Sequence, residues 1–217
     1  MNIRSNLTND ELLQCIYDAA KEYEQKVGNT YLLVGRNKGG QYFYFECAFN
    51  EENFMHLLGI NNRNLGAAGF YKKCIECNHD TGNVITISQC IPARGHNRQD
   101  INEKASCCAD ILNIENARFM SVAGKDKISL HNDFEYAYGS QLATLGFKKI
   151  NNFCVPTTLS TNSIDVHTSR KYRVFFIFKK QKSERRYGLP IFEKTAGLFY
   201  ELRCLLPDDI QRKLLIE

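Results

Sequence analysis

Tyr172-Arg173-Val174-Phe175-Phe176-Ile177-Phe178-Lys179 is the stretch on which the fold turns. Its unbroken apolar core is too short for a buried helix and has no polar alternation for a wet face, so it reads as a central strand covered on both sides. Toward the N-terminus, further strand candidates fall at residues 155–159, 142–149, 134–138, 128–130 and 117–122. Before them the periodicity changes. Residues 102–114 place Ala105, Cys108, Ala109, Ile111 and Leu112 on one side of a helix, and residues 65–77 stripe Ala67, Phe70, Tyr71 and Cys74 on another. Residues 51–59 fit a short helix or a returning strand. Residues 31–34 and 42–49 form the arms of a β-hairpin across the turn-rich Gly35-Arg36-Asn37-Lys38-Gly39-Gly40. At the start, Thr8 and Glu11 form a capping-box pattern ahead of Leu12, Leu13, Ile16, Ala19, Ala20 and Tyr23, an amphipathic helix ending near Gly28.

Helices therefore come first and strands later. That order predicts an α+β fold, with N-terminal helices packed on a mainly antiparallel β-sheet. Residues 1–180 read as one domain, with the polar, cysteine-rich stretch 75–101 as an insertion. Residues 181–217 read as a helical C-terminal extension, its last helix starting after Pro207 and carrying Ile210, Leu214 and Leu215.

The 217 residues are 43% hydrophobic and 24% charged, ordinary globular values that leave no room for extended disorder. No segment reaches the roughly 18 uninterrupted apolar residues of a membrane helix. Asn2, Arg4, Asn6, Asn9, Asp10 and Glu11 break up any apolar core of an export signal, so the expectation is a cytoplasmic protein with no membrane partner. In that compartment nine cysteines read as reduced thiols. The net charge of +4 is mild, but its distribution is not. Arg170, Lys171, Arg173, Lys179, Lys180, Lys182, Arg185 and Arg186 are opposed locally only by Glu184. A polyanionic partner and a solvated basic hairpin both fit that pattern.

The glycine-rich turn at residues 35–40 lacks the spacing and trailing Lys-Ser/Thr of a phosphate-binding loop, which excludes nucleotide hydrolysis by that route. Cys74, Cys77 and His79 approach a zinc-ligand spacing, but no second pair completes it and Cys74 already belongs to an apolar helix stripe, so no metal site is assigned. His56, His131 and His167 are the histidines considered for acid–base work. His56 stands among apolar neighbours in Asn53-Phe54-Met55-His56-Leu57-Leu58-Gly59, which suits either a core histidine or a catalytic one. Asp133 and Glu135 are the nearest approach to a metal-binding carboxylate pair, and they also suit a solvent-facing strand edge.

Five stretches carry a family resemblance: Tyr31-Leu-Leu-Val-Gly-Arg36, Tyr42-Phe-Tyr-Phe45, Asn53-Phe-Met-His-Leu-Leu-Gly-Ile60, Phe70-Tyr-Lys-Lys-Cys74, and Pro156-Thr-Thr-Leu159 together with the 172–179 strand. Over residues 12–180 the chain resembles the phage-associated branch of the barnase, EndoU, colicin and RelE-like (BECR) nuclease superfamily. The resemblance implies a metal-independent endoribonuclease toxin or effector without cofactor. Its RNA substrate would be tRNA or mRNA, and its partner an antitoxin or host protein. It also implies attack of an RNA 2′-hydroxyl on the adjacent phosphorus, giving a 2′,3′-cyclic phosphate. Under it His56 becomes the acid or base, and Arg36, Thr157, Thr158 and Arg173 complete the catalytic group. Lys38, Tyr31, Tyr71, Arg170 and Lys179 would hold substrate. Two rivals stand beside this reading. One is an inert phage or mobile-element protein that binds and inhibits a host defence complex. The other is an ADP-ribosyltransferase-like toxin, against which the chain has no Ser-Thr-Ser strand followed by a paired Glu motif.

Overall fold

The computed structural model describes residues 2–77 and 84–215. Helix α1, Asn9–Glu24, starts at Thr8 with the expected reciprocal capping box, in which Glu11 also bonds the Thr8 amide. Strands β1 (Asn29–Arg36) and β2 (Tyr42–Ala48) form the hairpin. Residues 51–57 resolve as helix, a 3-10 turn running into the single-turn α2 (Phe54–Leu57). Helices α3 (Gly66–Ile75) and α4 (Arg98–Leu112) follow, the latter capped by Asn97. Then come β3 (Ser121–Ala123), β4 (Tyr136–Gly139), β5 (Thr144–Ile150), β6 (Phe153–Ser160), the short α5 (Ile164–His167) and β7 (Tyr172–Gln181). The chain ends with β8 (Pro190–Glu193), α6 (Leu198–Leu202) and α7 (Asp208–Gln211).

All eight strands lie in one sheet, and β7 is its hub. One edge of β7 pairs with β1 from Asn29↔Gln181 to Arg36↔Arg173. Its other edge serves β3 first, through Val122↔Tyr172, and β8 further on. Because β1 also pairs with β2, and β2-β6-β5-β4-β3 leads back to β7, seven strands close into a ring with β8 outside it. Every pairing among the named strands is antiparallel except the single β2–β6 contact at Cys47↔Cys154. Register shifts at Val34/Gly35 and Gly146/Phe147 supply the local bends that closure requires.

Gly35 shows how tightly the ring is drawn. A Cβ there would lie 2.5 Å from Val122 Cγ2 and 2.7 Å from Tyr172 Cβ, so only glycine lets β1 approach β3 and β7 this closely. Gly35→Ala should cost about 1–3 kcal/mol of stability through overpacking. A urea midpoint unchanged from wild type would contradict this packing.

The sheet is covered on both faces, as the apolar β7 run requires. On one face Tyr31, Leu33, Phe45 and Ile177 join the core under α1, α3 and α4, where Tyr23 meets Phe49, Phe54 and Tyr71 at ring distances of 5.4, 5.3 and 5.8 Å. On the other, Leu32, Val34, Phe176 and Phe178 are covered by Tyr187, Phe199, Leu206, Ile210 and Leu214 of the C-terminal segment.

Three expectations about individual elements change. Residues 128–130 are not a strand: Ile128 makes one bridge to Thr168, and the amide of Asn132 turns back to the Ser129 carbonyl, leaving Leu130 100% exposed. Residues 117–122 contribute only Ser121 and Val122 to a strand, since the Met120 amide closes a turn on Ala117. The region after residue 181 contains strand β8 as well as helix, and the helix expected after Pro207 is one short turn. His79 lies outside the described residues, as does the middle of the 75–101 stretch.

Candidate nucleic-acid cleft

The β1–β7 register sets Arg36 directly across from Arg173, at the end of the sheet where the 37–40 turn folds back. Gly40, with φ +82, completes that turn, and the Asn37 carboxamide pins it to Gln41 through both its oxygen and its nitrogen. Arg36 Nε donates to the Gly40 carbonyl at 3.4 Å, while its guanidinium lies 5.3 Å from the Tyr42 ring centre and 5.7 Å from that of Phe175. Lys194 Nζ sits 4.4 Å over the same Phe175 ring. One aromatic ring thus contacts two cations, each attracted to its π-system. Arg170 stacks 5.6 Å from Tyr172 and donates to the Gln41 side chain. Arg173 donates to the Arg118 carbonyl at 3.4 Å.

These groups open on a cleft of about 1320 Å³. Its cationic lining is Arg36, Lys38, Arg170, Lys171, Arg173 and Lys194, against one carboxylate, Asp110. Lys171 is neutralised by Asp165 at 2.5 Å. The other five cations have no ion pair among the described residues. A surface that keeps this many positive groups together with so little counter-charge is suited to a polyanion.

Of the residues expected to act together, Arg36, Lys38, Arg170 and Arg173 line the cleft and the others do not. His56 is exposed on α2, which follows the opposite end of β2 and packs against α3 and β6. At about 3.3 Å per residue, β2 alone spans roughly 20 Å between those ends. Lys179 pairs with Tyr31 at the corresponding far end of β7. Thr157 and Thr158 belong to β6, three steps round the ring from β7; Thr158 pairs with Gly146, and the Thr157 hydroxyl is buried without a hydrogen-bond partner among the described residues.

Tyr31 and Tyr71 are corrected outright as base-stacking residues. They are 1% and 4% exposed, because Tyr31 packs edge-on to Phe49 and Tyr71 edge-on to Tyr23 and Phe54. Neither offers a ring face to a ligand. Conversely, Lys194, Phe175 and Phe119 line the cleft without having been singled out. Lys194 is 21 positions beyond Arg173 in the chain and reaches the site only because β8 pairs with β7.

His131 is exposed, whereas His167, Asp133 and Glu135 have structural partners. The His167 ring is held between Asn132 Oδ1 at 2.8 Å and Ser160 Oγ at 3.0 Å, and burial pushes its pKa down. A histidine held neutral by the fold takes up its proton more readily when unfolded, so stability should fall as pH drops below about 6.5. The check is thermal unfolding at pH 7 and pH 5, with a shallower decline expected for His167→Gln; identical slopes would remove His167 from the explanation. Asp133 pairs with Lys148 at 2.5 Å and Glu135 with Lys125. The described cysteines are all free thiols, and burial pushes Cys90 up to about 11 and Cys154 to about 12. Among the described residues no group of three or more His, Cys, Asp or Glu side chains is placed to hold a metal ion, and no helix is long and apolar enough to cross a membrane.

Comparison with curated proteins and with solved structures gives no match. A family model described as phage-Barnase-EndoU-ColicinE5/D-RelE like nuclease 4 matches residues 15–195, from the middle of α1 to just beyond β8. The match takes in every strand of the ring and every cation of the cleft, and the chain belongs to this phage-associated BECR nuclease family.

Proposed function

We propose that the cleft cleaves RNA by attack of a 2′-hydroxyl on its own 3′-phosphate. The observation that carries this reading is the convergence on one cleft, at the end of β1 and β7, of five cations without ion-pair partners among the described residues. In such a reaction the 2′-oxygen loses its proton and bonds to phosphorus, the bond to the 5′-oxygen breaks, and that oxygen takes up a proton. The products are a 2′,3′-cyclic phosphate and a free 5′-hydroxyl.

The pentacoordinate phosphorus carries more negative charge than the diester. Groups aimed at that charge, and held there before reaction, lower the barrier. Arg36 and Arg173 suit this role, being fixed by strand register, ring stacking and carbonyl contacts. Their planar forks can each hold two phosphate oxygens. Among the described residues no histidine lines the cleft. In this proposal Lys38 or Lys194, as an ammonium, gives a proton to the departing 5′-oxygen and a water in the cleft carries away the 2′-hydroxyl proton, so that the catalytic role expected for His56 passes to these groups.

The test is incubation of purified protein with single-stranded RNA and with tRNA in excess EDTA, followed by end-group analysis. Cyclic-phosphate and 5′-hydroxyl ends are expected from wild type and not from Arg173→Ala. Absence of cleavage by folded wild-type protein on every RNA tried would overturn the proposal.

A further inference from the structure

The cations make up only part of the cleft lining. The rest of its lining has a different chemistry, concentrated on the segment joining α4 to β3 and on the turn between β4 and β5. Phe119 lies in the first and is 75% exposed; Leu142 lies in the second and is 48% exposed. Beside them stand Asn113, Asn116 and Gln141, all exposed and all lining the cleft.

The carboxamides of Asn113, Asn116 and Gln141 make no hydrogen bond among the described residues, so their donors and acceptors are open to a ligand. Their backbone is nonetheless fixed: the Asn113 amide bonds Ala109, the Asn116 amide bonds Asn113, and Ser140 Oγ accepts from the Leu142 and Ala143 amides. Phe119, moreover, directly follows Arg118, whose carbonyl accepts from Arg173. An exposed ring thus follows directly in the chain on the residue whose carbonyl holds the Arg173 guanidinium, and both Phe119 and Arg173 line the same cleft.

We infer, resting on the nucleic-acid reading of the cleft, that this part of the lining is a nucleobase subsite: Phe119 stacks on one unpaired base while Asn113, Asn116 and Gln141 read its edge. A base in a duplex has both faces stacked and its pairing edge occupied, so the subsite selects single strands, loops or bulges. Carboxamides present donor and acceptor side by side, matching the paired groups on a base edge and giving discrimination among bases. Aromatic stacking alone is tolerant of base identity, because every base has a π-face. Phe119 thus supplies affinity and the carboxamides supply preference.

The chain contains no tryptophan, so Phe119→Trp introduces a single fluorescent reporter at the subsite. The probes are a short single-stranded oligonucleotide carrying 2′-O-methyl groups, which blocks the attacking hydroxyl, its abasic counterpart of equal length, and a duplex of the same sequence. The base-bearing single strand should quench the indole. The abasic strand should bind with the same salt dependence and leave the emission unchanged. Phe119→Ala should weaken binding of the base-bearing strand about 5- to 100-fold, the range for loss of one base-stacking contact, and leave abasic binding as it was. Replacing Asn113 and Asn116 together by Ala should reorder the affinities for the four homopolymers.

Equal quenching by the abasic strand, duplex binding as tight as single-strand binding, or an unaffected Phe119→Ala variant would each overturn the inference. Base-dependent quenching without cleavage of any RNA would overturn the nuclease proposal and leave this subsite standing. Cleavage without base-dependent quenching would do the reverse.

Discussion

Arg173→Ala is expected to slow RNA cleavage about 100- to 1000-fold, the effect of removing one preorganised donor from a developing oxyanion. His56→Ala is expected to leave the rate within about threefold of wild type, since α2 lies beyond the opposite end of the hairpin. Arg173 is a clean target because it is exposed and its one side-chain hydrogen bond among the described residues is to a carbonyl. Its loss should therefore not unfold the protein. Arg173→Lys should recover part of the rate, since charge is restored without the planar fork.

Arg36→Ala should act in the same direction but also withdraws a cation from the Tyr42 and Phe175 rings. The double variant should then fall short of the product of the two single effects, because both arginines would serve one phosphate. Salt provides an independent measure. Each phosphate contact removed should flatten the plot of log affinity against log salt by about 0.7 for a single strand. Loss of cleavage in His56→Ala together with full activity in Arg173→Ala would move the active site from the cleft to α2.

The second large effect is on stability. Phe178→Ala should destabilise the fold by about 3–5 kcal/mol, the usual cost of emptying a buried phenylalanine site. For a chain of this size that corresponds to a fall in Tm of roughly 6–20 °C. Phe178 is fully buried, with Phe199, Phe176 and Tyr187 rings at 5.5, 6.0 and 6.5 Å. It belongs to the cluster that covers the second face of the sheet with the C-terminal segment. Leu215→Ala, at an exposed position in the same segment, should change stability by less than about 0.5 kcal/mol. Similar urea midpoints for the two variants would mean that the segment after residue 187 contributes little to holding the sheet.

Much of this architecture is legible in the chain because it depends on short-range pattern. Thr8 and Glu11 cap α1 with atoms three residues apart, and the apolar spacing of α1, α3 and α4 follows a local period. The 172–179 run announces a strand with two covered faces. What it does not announce is its cover, which arrives from Tyr187, Phe199 and Ile210, residues on short elements beyond β7 whose local pattern does not say what they pack against. For the same reason the strand at 190–193 escapes the pattern: it is short, begins with proline and lies half-buried at an edge.

The site divides along the same line. By itself the sequence determined an α+β protein with a central β7, a glycine-rich hairpin turn, a basic segment from residue 170, and membership of a nuclease family; each follows from residue types at near spacing or from a pattern spread along the chain. Only the tertiary structure decided which functional groups meet. Arg36 and Arg173 are 137 positions apart, and it is the antiparallel register of β1 and β7 that sets them opposite one another. His56 looked catalytic because it is a polar residue in an apolar stretch, yet the helical turn of α2 points that one residue to solvent while Phe54, Met55 and Leu57 face the core. Tyr31 and Tyr71 looked like base platforms because aromatic type can be read from the chain, but burial, which depends on every other element of the ring, cannot.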